Sequence, residues 1–340
     1  MKLDDVNIFR CPKCKSSLKL SHCEPSQVQE EIMEGWLACS SCGKRYQIIK
    51  SIPRFVDSAG YAASFGYQWK KFARTQVGDV QKKISKIRFD ATTKWPGDLR
   101  GQLVLEAGCG AGRFSEIALD TGAIVYSFEI SEAIEANLDN VKAPELRKRH
   151  HLFQTDIYEI PLPYGMFDKI FCMGVLQHCP DVKKAYLSLM PFLKPGGELV
   201  VDCYLSQPFK HIFNLKYRLR PFFKWWKPSR LFTFWSFVIS IAYDIKSLCS
   251  KIPFIGALLS NLIPIGRLNY EPDYHLSVPE LKEIKTLSVF DMLSPKYDKP
   301  QRLSSFRRWM EEGGLEILGL TTGYNGINAR ARRPADKKMV

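Results

Sequence analysis

The amino-acid sequence predicts an α/β protein built on a doubly wound, mostly parallel sheet, with a small metal-binding module ahead of it. Segments typical of strands and of helices alternate between residues 100 and 205, and this alternation favours parallel strands with ligands at their carboxyl ends. A turn with three glycines, "EAGCGAG" at 106–112, follows the first of these strands. Two C-x-x-C pairs precede the alternation, which places the metal-binding module at the N-terminus.

Composition limits the partners and the compartment. The chain has 340 residues, and its 49 lysines and arginines against 35 acids give a net charge of +14. Such a charge favours an anionic partner: nucleic acid, a phosphorylated substrate or a membrane surface. The N-terminus lacks the apolar core of a secretory signal. We therefore expect a cytoplasmic protein whose ten cysteines are thiols or metal ligands and not disulfides.

The first module is predicted to hold a structural zinc ion. Two C-x-x-C turns, 24 residues apart, each present two thiolates to one tetrahedral ion, and four sulfur ligands leave no open position for chemistry. The predicted ligands are Cys11, Cys14, Cys39 and Cys42. His22 and Cys23 lie between the turns and are alternative ligands.

Two segments around these cysteines, "FRCPKCKSSLKL" and "EGWLACSSCGKRYQIIKSIPRF", resemble a small zinc ribbon. That ribbon activates tRNA and protein methyltransferases and is also fused ahead of bacterial methyltransferase domains. The resemblance covers about residues 8–56 and includes the closing hairpin "YQIIKSIP". It implies that residues 1–56 are a folding or docking module without chemistry of its own.

The stretch "GQLVLEAGCGAGRFSEIALDTG" predicts a buried strand at 103–106, a glycine turn, and a helix beginning near residue 112. Bare backbone in such a corner lets a nucleotide ligand approach closely. A dinucleotide fingerprint is spaced G-x-G-x-x-G, whereas Gly108, Gly110 and Gly112 are spaced G-x-G-x-G. With Glu106 at the strand end, this spacing resembles motif I of the class I S-adenosylmethionine-dependent methyltransferases.

Later strand ends extend the resemblance over roughly residues 100–205. Glu129 ends the second strand, "GAIVYSFEIS", where a carboxylate can accept hydrogen bonds from both ribose hydroxyls. Asp156 in "QTDI" matches the family's acid for the adenine amino group, and "FDKIFCMGVLQHCPD" and "LSLMPFLKPGGELVVDCY" match its next blocks.

What the resemblance implies is a Rossmann-like seven-stranded methyltransferase sheet, formed by 101–205 and 300–333, whose last strand is antiparallel. It also implies that S-adenosylmethionine is the cofactor. The implied cofactor contacts are Glu106, Gly108, Cys109, Gly110, Gly112, Glu129, Ile130, Asp156, Ile157, Met173 and Gly174.

Two histidines are candidates for the acceptor side of the site. His178 in "GVLQHCPD" follows the fourth strand, where the family places residues that face the methionine half of the cofactor and the acceptor. Imidazole is well suited to accept a proton near neutral pH, so His178 is a candidate catalytic base. The alternative is a purely structural role in its loop. His275 in "EPDYHLSV" is a second candidate and is placed with the acceptor site.

The segment "FGYQWKKFARTQ", within residues 57–100, resembles a stretch of methyltransferases from bacterial glycan and small-molecule pathways. In that family N-terminal helices cover the cofactor. The candidate pocket residues here are Phe65, Tyr67, Gln68 and Trp69, with Tyr67 and Trp69 assigned to the substrate. The alternative for such aromatic spacing is plain core packing.

The segment "DMLSPKYDKP" resembles the same family's loop that returns toward the pocket mouth. Asp291, Tyr297 and Asp298 are candidates for contact with the acceptor. The alternative is that the prolines hold an irregular path.

Between these blocks, residues 206–299 are predicted to form a helical cap. Residues 206–230 hold seven lysines and arginines, interleaved with aromatic residues, and no acid. Such a surface suits an anionic, partly apolar acceptor or an anionic bilayer, and the alternative is an ordinary cap with solvated basic faces. The longest apolar run, 231–243, is shorter than the roughly 20 residues that cross a membrane, so no transmembrane span is expected.

These observations predict a methyltransferase that acts on an O- or N-nucleophile of a small or lipid-linked acceptor, a sugar being one candidate. Peripheral contact with the inner face of the membrane is an option. An RNA methyltransferase is a rival because of the charge and the zinc ribbon, although "MGVLQHCP" lacks the Asn/Asp-Pro-Pro-Tyr-type motif used on amino groups of bases. A non-catalytic protein that binds a partner through ribbon and cap is the second rival.

Overall fold

One mixed sheet runs through the protein. The computed structural model describes residues 1–25, 31–57, 60–71, 79–207, 215–252 and 277–335. The strands of this part are β1 (Leu18–Pro25), β2 (Ile32–Cys39), β3 (Arg45–Ile49), β4 (Ile52–Arg54), β5 (Leu103–Ala107), β6 (Ile124–Glu129), β7 (His150–Gln154), β8 (Phe167–Cys172), β9 (Leu193–Cys203), β10 (Glu316–Gly323) and β11 (Gly326–Arg332).

The predicted fold class is confirmed by the strand order. Seven strands follow one another as β7-β6-β5-β8-β9-β11-β10. The pairs β6–β7, β5–β6, β5–β8 and β8–β9 are parallel, whereas β11 is antiparallel to β9. The central strands are apolar along nearly their whole length, as expected when helices cover both faces of a parallel sheet. Their carboxyl ends therefore meet at one edge.

The sheet is wider than seven strands because the N-terminal ribbon joins it. β1 to β4 form an antiparallel ribbon, and β4 pairs with β7 in parallel through Arg54 and Gln154. The count of strands in this sheet is thus eleven. Phe9 of the ribbon packs against Phe153 of β7, with ring centroids 5.4 Å apart. The ribbon and the larger sheet share one hydrophobic core.

Helices cover both faces of the sheet and build the cap. They are α1 (Asp5–Ile8), α2 (Ala63–Lys71), α3 (Asp79–Thr93), α4 (Ser115–Asp120), α5 (Ala133–Asn140), α6 (Pro144–Arg147), α7 (Val182–Leu189), α8 (Leu215–Phe223), α9 (Pro228–Ser250), α10 (Val278–Leu293) and α11 (Leu303–Glu312). Short 3₁₀ turns lie at Gly60–Ala62, Leu176–His178 and Met190–Phe192.

The cap has a small core of its own. Leu231 and Ile239 of α9 are buried together with Val289 and Phe290 of α10.

α9 begins with a proline at its first turn, a position that needs no backbone donor. The helix has 23 residues and extends beyond the apolar run at both ends. Among the described residues, α9 is the one helix that is long and apolar enough to cross a membrane. Little of it is buried.

Candidate functional site

A cavity of about 420 Å³ lies over the carboxyl ends of the parallel strands, within the size range of small-ligand pockets. Helices α2, α3 and α10 contribute to its walls. Of the residues predicted to contact the cofactor, those that line the cavity are Gly108, Cys109, Gly110, Glu129, Ile130, Ile157, Met173 and Gly174. The loops after β5, β6, β7 and β8 therefore converge on one space, as expected at the carboxyl edge of a parallel sheet.

The glycine loop needs glycine for two separate steric reasons. Gly108 and Gly112 have φ angles of +74° and +90°, which residues with a Cβ rarely adopt. A Cβ on Gly108 would collide with the Val175 side chain, and one on Gly112 would lie 2.6 Å from Oδ1 of Asn137. The N–H groups of Gly108 and Cys109 both donate to the carbonyl of Phe128, and these two hydrogen bonds fix the loop to the end of β6.

Glu129 ends β6 and turns its carboxylate toward this loop. The backbone N–H of Gly110 donates to Oε2 at 3.1 Å, and that of Ser131 donates to Oε1 at 3.0 Å. Burial raises the pKa of Glu129, while the N–H donors of Ser131 and Gly110 lower it. The carboxylate is thus held in place at the cavity wall, with accepting capacity left for hydroxyl groups of a ligand.

Glu106, Gly112 and Asp156 do not line the cavity. Glu106 lies beneath the loop, where the hydroxyls of Ser115 and Ser127 donate to its Oε2 at 2.6 and 2.8 Å. Burial raises the pKa of Glu106 to about 7. Glu106 therefore supports the loop from below.

Asp156 is covered by a side chain from the N-terminal helices. The hydroxyl of Tyr61 donates to Oδ1 of Asp156 at 3.1 Å, and the backbone N–H of Tyr158 donates to the same oxygen at 3.2 Å. Burial raises the pKa of Asp156. Tyr61 itself lines the cavity, so it stands between Asp156 and the cavity space.

His178 lines the cavity in a defined orientation. Its Nδ1 lies 3.1 Å from the carbonyl oxygen of Tyr297. Because a carbonyl only accepts, Nδ1 carries the proton and Nε2 of the neutral ring is an acceptor. The ring lies 5.0 Å from that of Phe65 and 5.6 Å from that of Tyr204, which holds the imidazole at the wall.

The residues predicted to bind the acceptor are placed differently. Tyr67 does not line the cavity but packs on Phe232 and Phe290 in the cap. Tyr297 acts through its backbone carbonyl on His178, and its side chain is not among the lining residues. His275 and the side chain of Trp69 lie outside the described residues.

Asp291 of α10 does face the cavity and belongs to a polar group at the cap side. The Gln68 amide donates to its Oδ1 at 3.1 Å, and the hydroxyl of Tyr204 donates to its Oδ2 at 3.2 Å. This group joins α2, α10 and the segment after β9 around one wall of the cavity.

A buried ion pair at the wall of the cavity, where Arg88 is one of the lining residues, was not predicted. Arg88 of α3 bonds Asp202, near the end of β9, through Nε at 3.1 Å and through a terminal nitrogen. Oδ1 of Asp202 also accepts from the N–H of Gly174 at 2.6 Å and from Asn325 at 3.1 Å. The sequence "VVDCY" shows an acid near the end of β9. Nothing in the sequence around Arg88 indicates that this residue is its partner.

The four predicted zinc ligands come together in the ribbon. Their Sγ atoms all lie within 4.8 Å of one another, and the Cys11–Cys42 and Cys14–Cys39 distances are 3.6 and 3.4 Å. A tetrahedral zinc site with bonds of about 2.3 Å has sulfurs about 3.8 Å apart, so the cluster fits a closed structural site. The side chains of His22 and Cys23 lie outside the described residues.

Each knuckle is closed by a residue in the left-handed region. Lys15 and Gly43, the residues after the second cysteine of each pair, have φ angles of +61° and +71°. Their N–H groups donate to the carbonyls of Cys11 and Cys39. The two knuckles thus have the same backbone geometry, which points both thiols of each pair toward one centre.

Part of the chain is similar in sequence to curated methyltransferases. The ubiquinone biosynthesis O-methyltransferase of Acinetobacter baumannii is 26% identical over 140 residues, which cover 39% of this chain and 56% of that protein. The protein of that name from Coxiella burnetii is 33% identical over 128 residues, or 34% of this chain and 53% of its own length. The chain thus spans about half the length of these curated relatives.

A solved structure of magnesium protoporphyrin IX methyltransferase from Synechocystis, with bound SAH, covers 80% of this chain and 96% of its own. It is 18% identical and has a TM-score of 0.45. The methyltransferase domain family matches residues 105–201, which contain the glycine loop, Glu129, Asp156 and His178. The predicted resemblance to methyltransferases is confirmed by this match over residues 105–201.

Proposed function

We propose that the protein transfers a methyl group from S-adenosylmethionine to an oxygen or nitrogen nucleophile of a small or lipid-linked acceptor, for which a sugar is one candidate. The observation that carries the proposal is the cavity. It brings the glycine loop, the Glu129 carboxylate and the His178 imidazole around one space. The names of the curated relatives favour oxygen over nitrogen as the nucleophile.

The proposed cofactor contacts are those predicted from the sequence. Glu129 has a carboxylate for ribose hydroxyls, and the bare backbone at Gly108 and Gly110 allows close approach of the ligand. Asp156 would receive the adenine amino group on a carboxylate whose Oδ1 also accepts from the Tyr61 hydroxyl. Bound there, S-adenosylmethionine supplies a methyl group already activated on a sulfonium.

The remaining chemistry is alignment and removal of one proton. Nε2 of His178 would accept the proton of the acceptor hydroxyl, while Nδ1–H would keep its bond to the Tyr297 carbonyl. The positive charge that forms on the imidazole is close to Asp298, whose carboxyl interacts electrostatically with His178.

We also propose a separate role for each segment of the chain. Residues 1–56 act as a stabilising module, 57–100 cover the cofactor, 101–205 with 300–333 form the catalytic sheet, and 206–299 act as the lid that selects the acceptor. Support comes from α2, α3 and α10, which all contribute side chains to the cavity.

The test is transfer of labelled methyl from S-adenosylmethionine into fractionated cell extract, with native protein and Glu129→Ala in parallel. We expect label in the small-molecule or lipid fraction with native protein and its loss with the variant, whose S-adenosylmethionine affinity falls in calorimetry. Label confined to RNA would favour the RNA methyltransferase. Absence of cofactor binding by native protein at millimolar concentration would favour the non-catalytic binding protein.

A further inference from the structure

The outer face of α9 carries a line of exposed apolar side chains. Successive members are three or four residues apart, so they lie along one side of the helix. They are Phe234, Phe237, Ile241, Ile245 and Leu248, with exposed fractions of 41%, 67%, 44%, 49% and 68%. Single exposed apolar residues are ordinary, but a continuous apolar line marks a contact surface.

Aromatic residues in the turn between α8 and α9 extend this line. Phe222 and Trp225 are 72% and 71% exposed. The ring of Trp226 packs on that of Phe234 with centroids 5.7 Å apart, so turn and helix form one surface. We call these three aromatic residues and the five side chains of the line the α9 patch.

The charges around the α9 patch have one sign. Residues 215–252 contain eight lysines and arginines and one acid, Asp244. Asp244 forms an ion pair with Lys282 at 2.7 Å. Arg218, Lys227 and Arg230 are exposed near the aromatic end of the patch. Apolar and aromatic side chains next to exposed positive charge match the acyl boundary and headgroups of an anionic bilayer.

The other face of α9 indicates how the helix meets such a surface. Leu231, Ile239 and Tyr243 are buried, and the ion pair from Asp244 to Lys282 ties the helix to α10. An ion pair within a helix is costly in the hydrocarbon core of a bilayer. α9 therefore suits a position parallel to the membrane, with only its outer face inserted.

We propose that the α9 patch binds the surface of an anionic lipid bilayer, with α9 lying in the plane of that surface. α10 lies against α9, and its Leu287 and Asp291 line the cavity. Given the proposed function, the bound protein takes its acceptor from the bilayer. The lipid binding itself does not depend on that function.

The experiment is sedimentation of native protein with vesicles of phosphatidylcholine alone and of phosphatidylcholine mixed with phosphatidylglycerol. We expect binding to the mixed vesicles that weakens as salt is added. Phe237→Ser/Leu248→Ser should lower the partition coefficient about tenfold or more, because two inserted apolar side chains are lost. The matched control, Ile87→Ser/Tyr164→Ser, removes two side chains of similar exposure elsewhere and should bind as native protein does.

Four results would overturn the proposal. One is a native protein that does not bind the mixed vesicles. Another is an equal loss of binding in both double variants. The third is a molar mass, measured by light scattering, that is lower for Phe237→Ser/Leu248→Ser than for the native protein and the control variant, since the patch would then join two copies of the chain. The fourth is resistance of bound protein to extraction at alkaline pH, which would indicate a spanning helix. No step uses S-adenosylmethionine, so failure here leaves the proposed function standing.

Discussion

At the scale of single residues, His178 has the two properties that a general base needs. Its Nδ1 is engaged by the Tyr297 carbonyl, and its ring borders the cavity. His178→Gln keeps an N–H for that carbonyl but has no basic nitrogen. We expect kcat to fall by about 10²- to 10⁴-fold while the calorimetric Kd for S-adenosylmethionine changes little.

The matched control is His151→Gln on the ribbon side of β7, where the imidazole bonds Asp5. This variant should retain the native kcat. A His178→Gln enzyme with native kcat at saturating cofactor would restrict His178 to packing in its loop.

The raised pKa of Glu106 predicts that the stability of the protein depends on pH. Because burial raises its pKa from 4.5 to about 7, the folded protein binds this proton more tightly than the unfolded chain does. The stability that the proton contributes is complete below the unfolded pKa and is lost as pH rises toward about 7, an effect of about 3 kcal/mol. Glu106→Gln should remove that part of the pH dependence.

Urea unfolding at about pH 5 and about pH 8 measures this difference. Native protein should lose more unfolding free energy between the two conditions than Glu106→Gln does. Glu145→Gln, which changes an exposed acid on the surface, should follow the native protein. Equal pH dependence in all three proteins would mean that Glu106 does not hold its proton.

At the scale of elements, the contact between α3 and β9 depends on the buried pair of Arg88 and Asp202. Asp202→Asn leaves the guanidinium buried without a charged partner, at a cost of about 3 to 5 kcal/mol. Adding Arg88→Met removes the stranded charge, and the asparagine oxygen still accepts from the Gly174 N–H. We therefore expect the double variant to be more stable than Asp202→Asn alone, as measured by urea unfolding. Additive losses in this double-mutant cycle would contradict the coupling.

At the scale of the whole molecule, the ribbon and the methyltransferase sheet should unfold together. β4 pairs with β7 and the two parts share a core, so a metal that stabilises the ribbon stabilises the larger sheet. We expect one zinc ion per chain by elemental analysis. Cys39→Ser should lose the metal and lower the melting temperature of the single transition, whereas Cys249→Ser in α9 should alter neither. Two separate transitions in native protein would contradict this coupling.

Sequence reasoning reached the core of the candidate site because that part rests on local chemistry. The spacing of Gly108 and Gly112 follows from the left-handed backbone angles of one loop. The four cysteines are set by two short turns. Glu129 comes at the end of a strand that its own apolar pattern reveals. In each case the pattern that predicts the residue lies within a short stretch of the chain.

The features that the sequence did not predict depend on contacts between segments that are distant in the chain. Arg88 meets Asp202 across 114 residues of chain, Gln68 meets Asp291 across 223, and no local pattern encodes such pairs. Aromatic spacing in α2 predicted pocket residues, but which ring faced the cavity depended on the helix rotation, so Phe65 borders it while Tyr67 packs into the cap. The joining of ribbon and sheet likewise depends on a pairing of two strand edges. Periodicity and turn chemistry are properties of the chain alone, whereas the orientation of a face and the partner of a buried charge exist only once the elements pack.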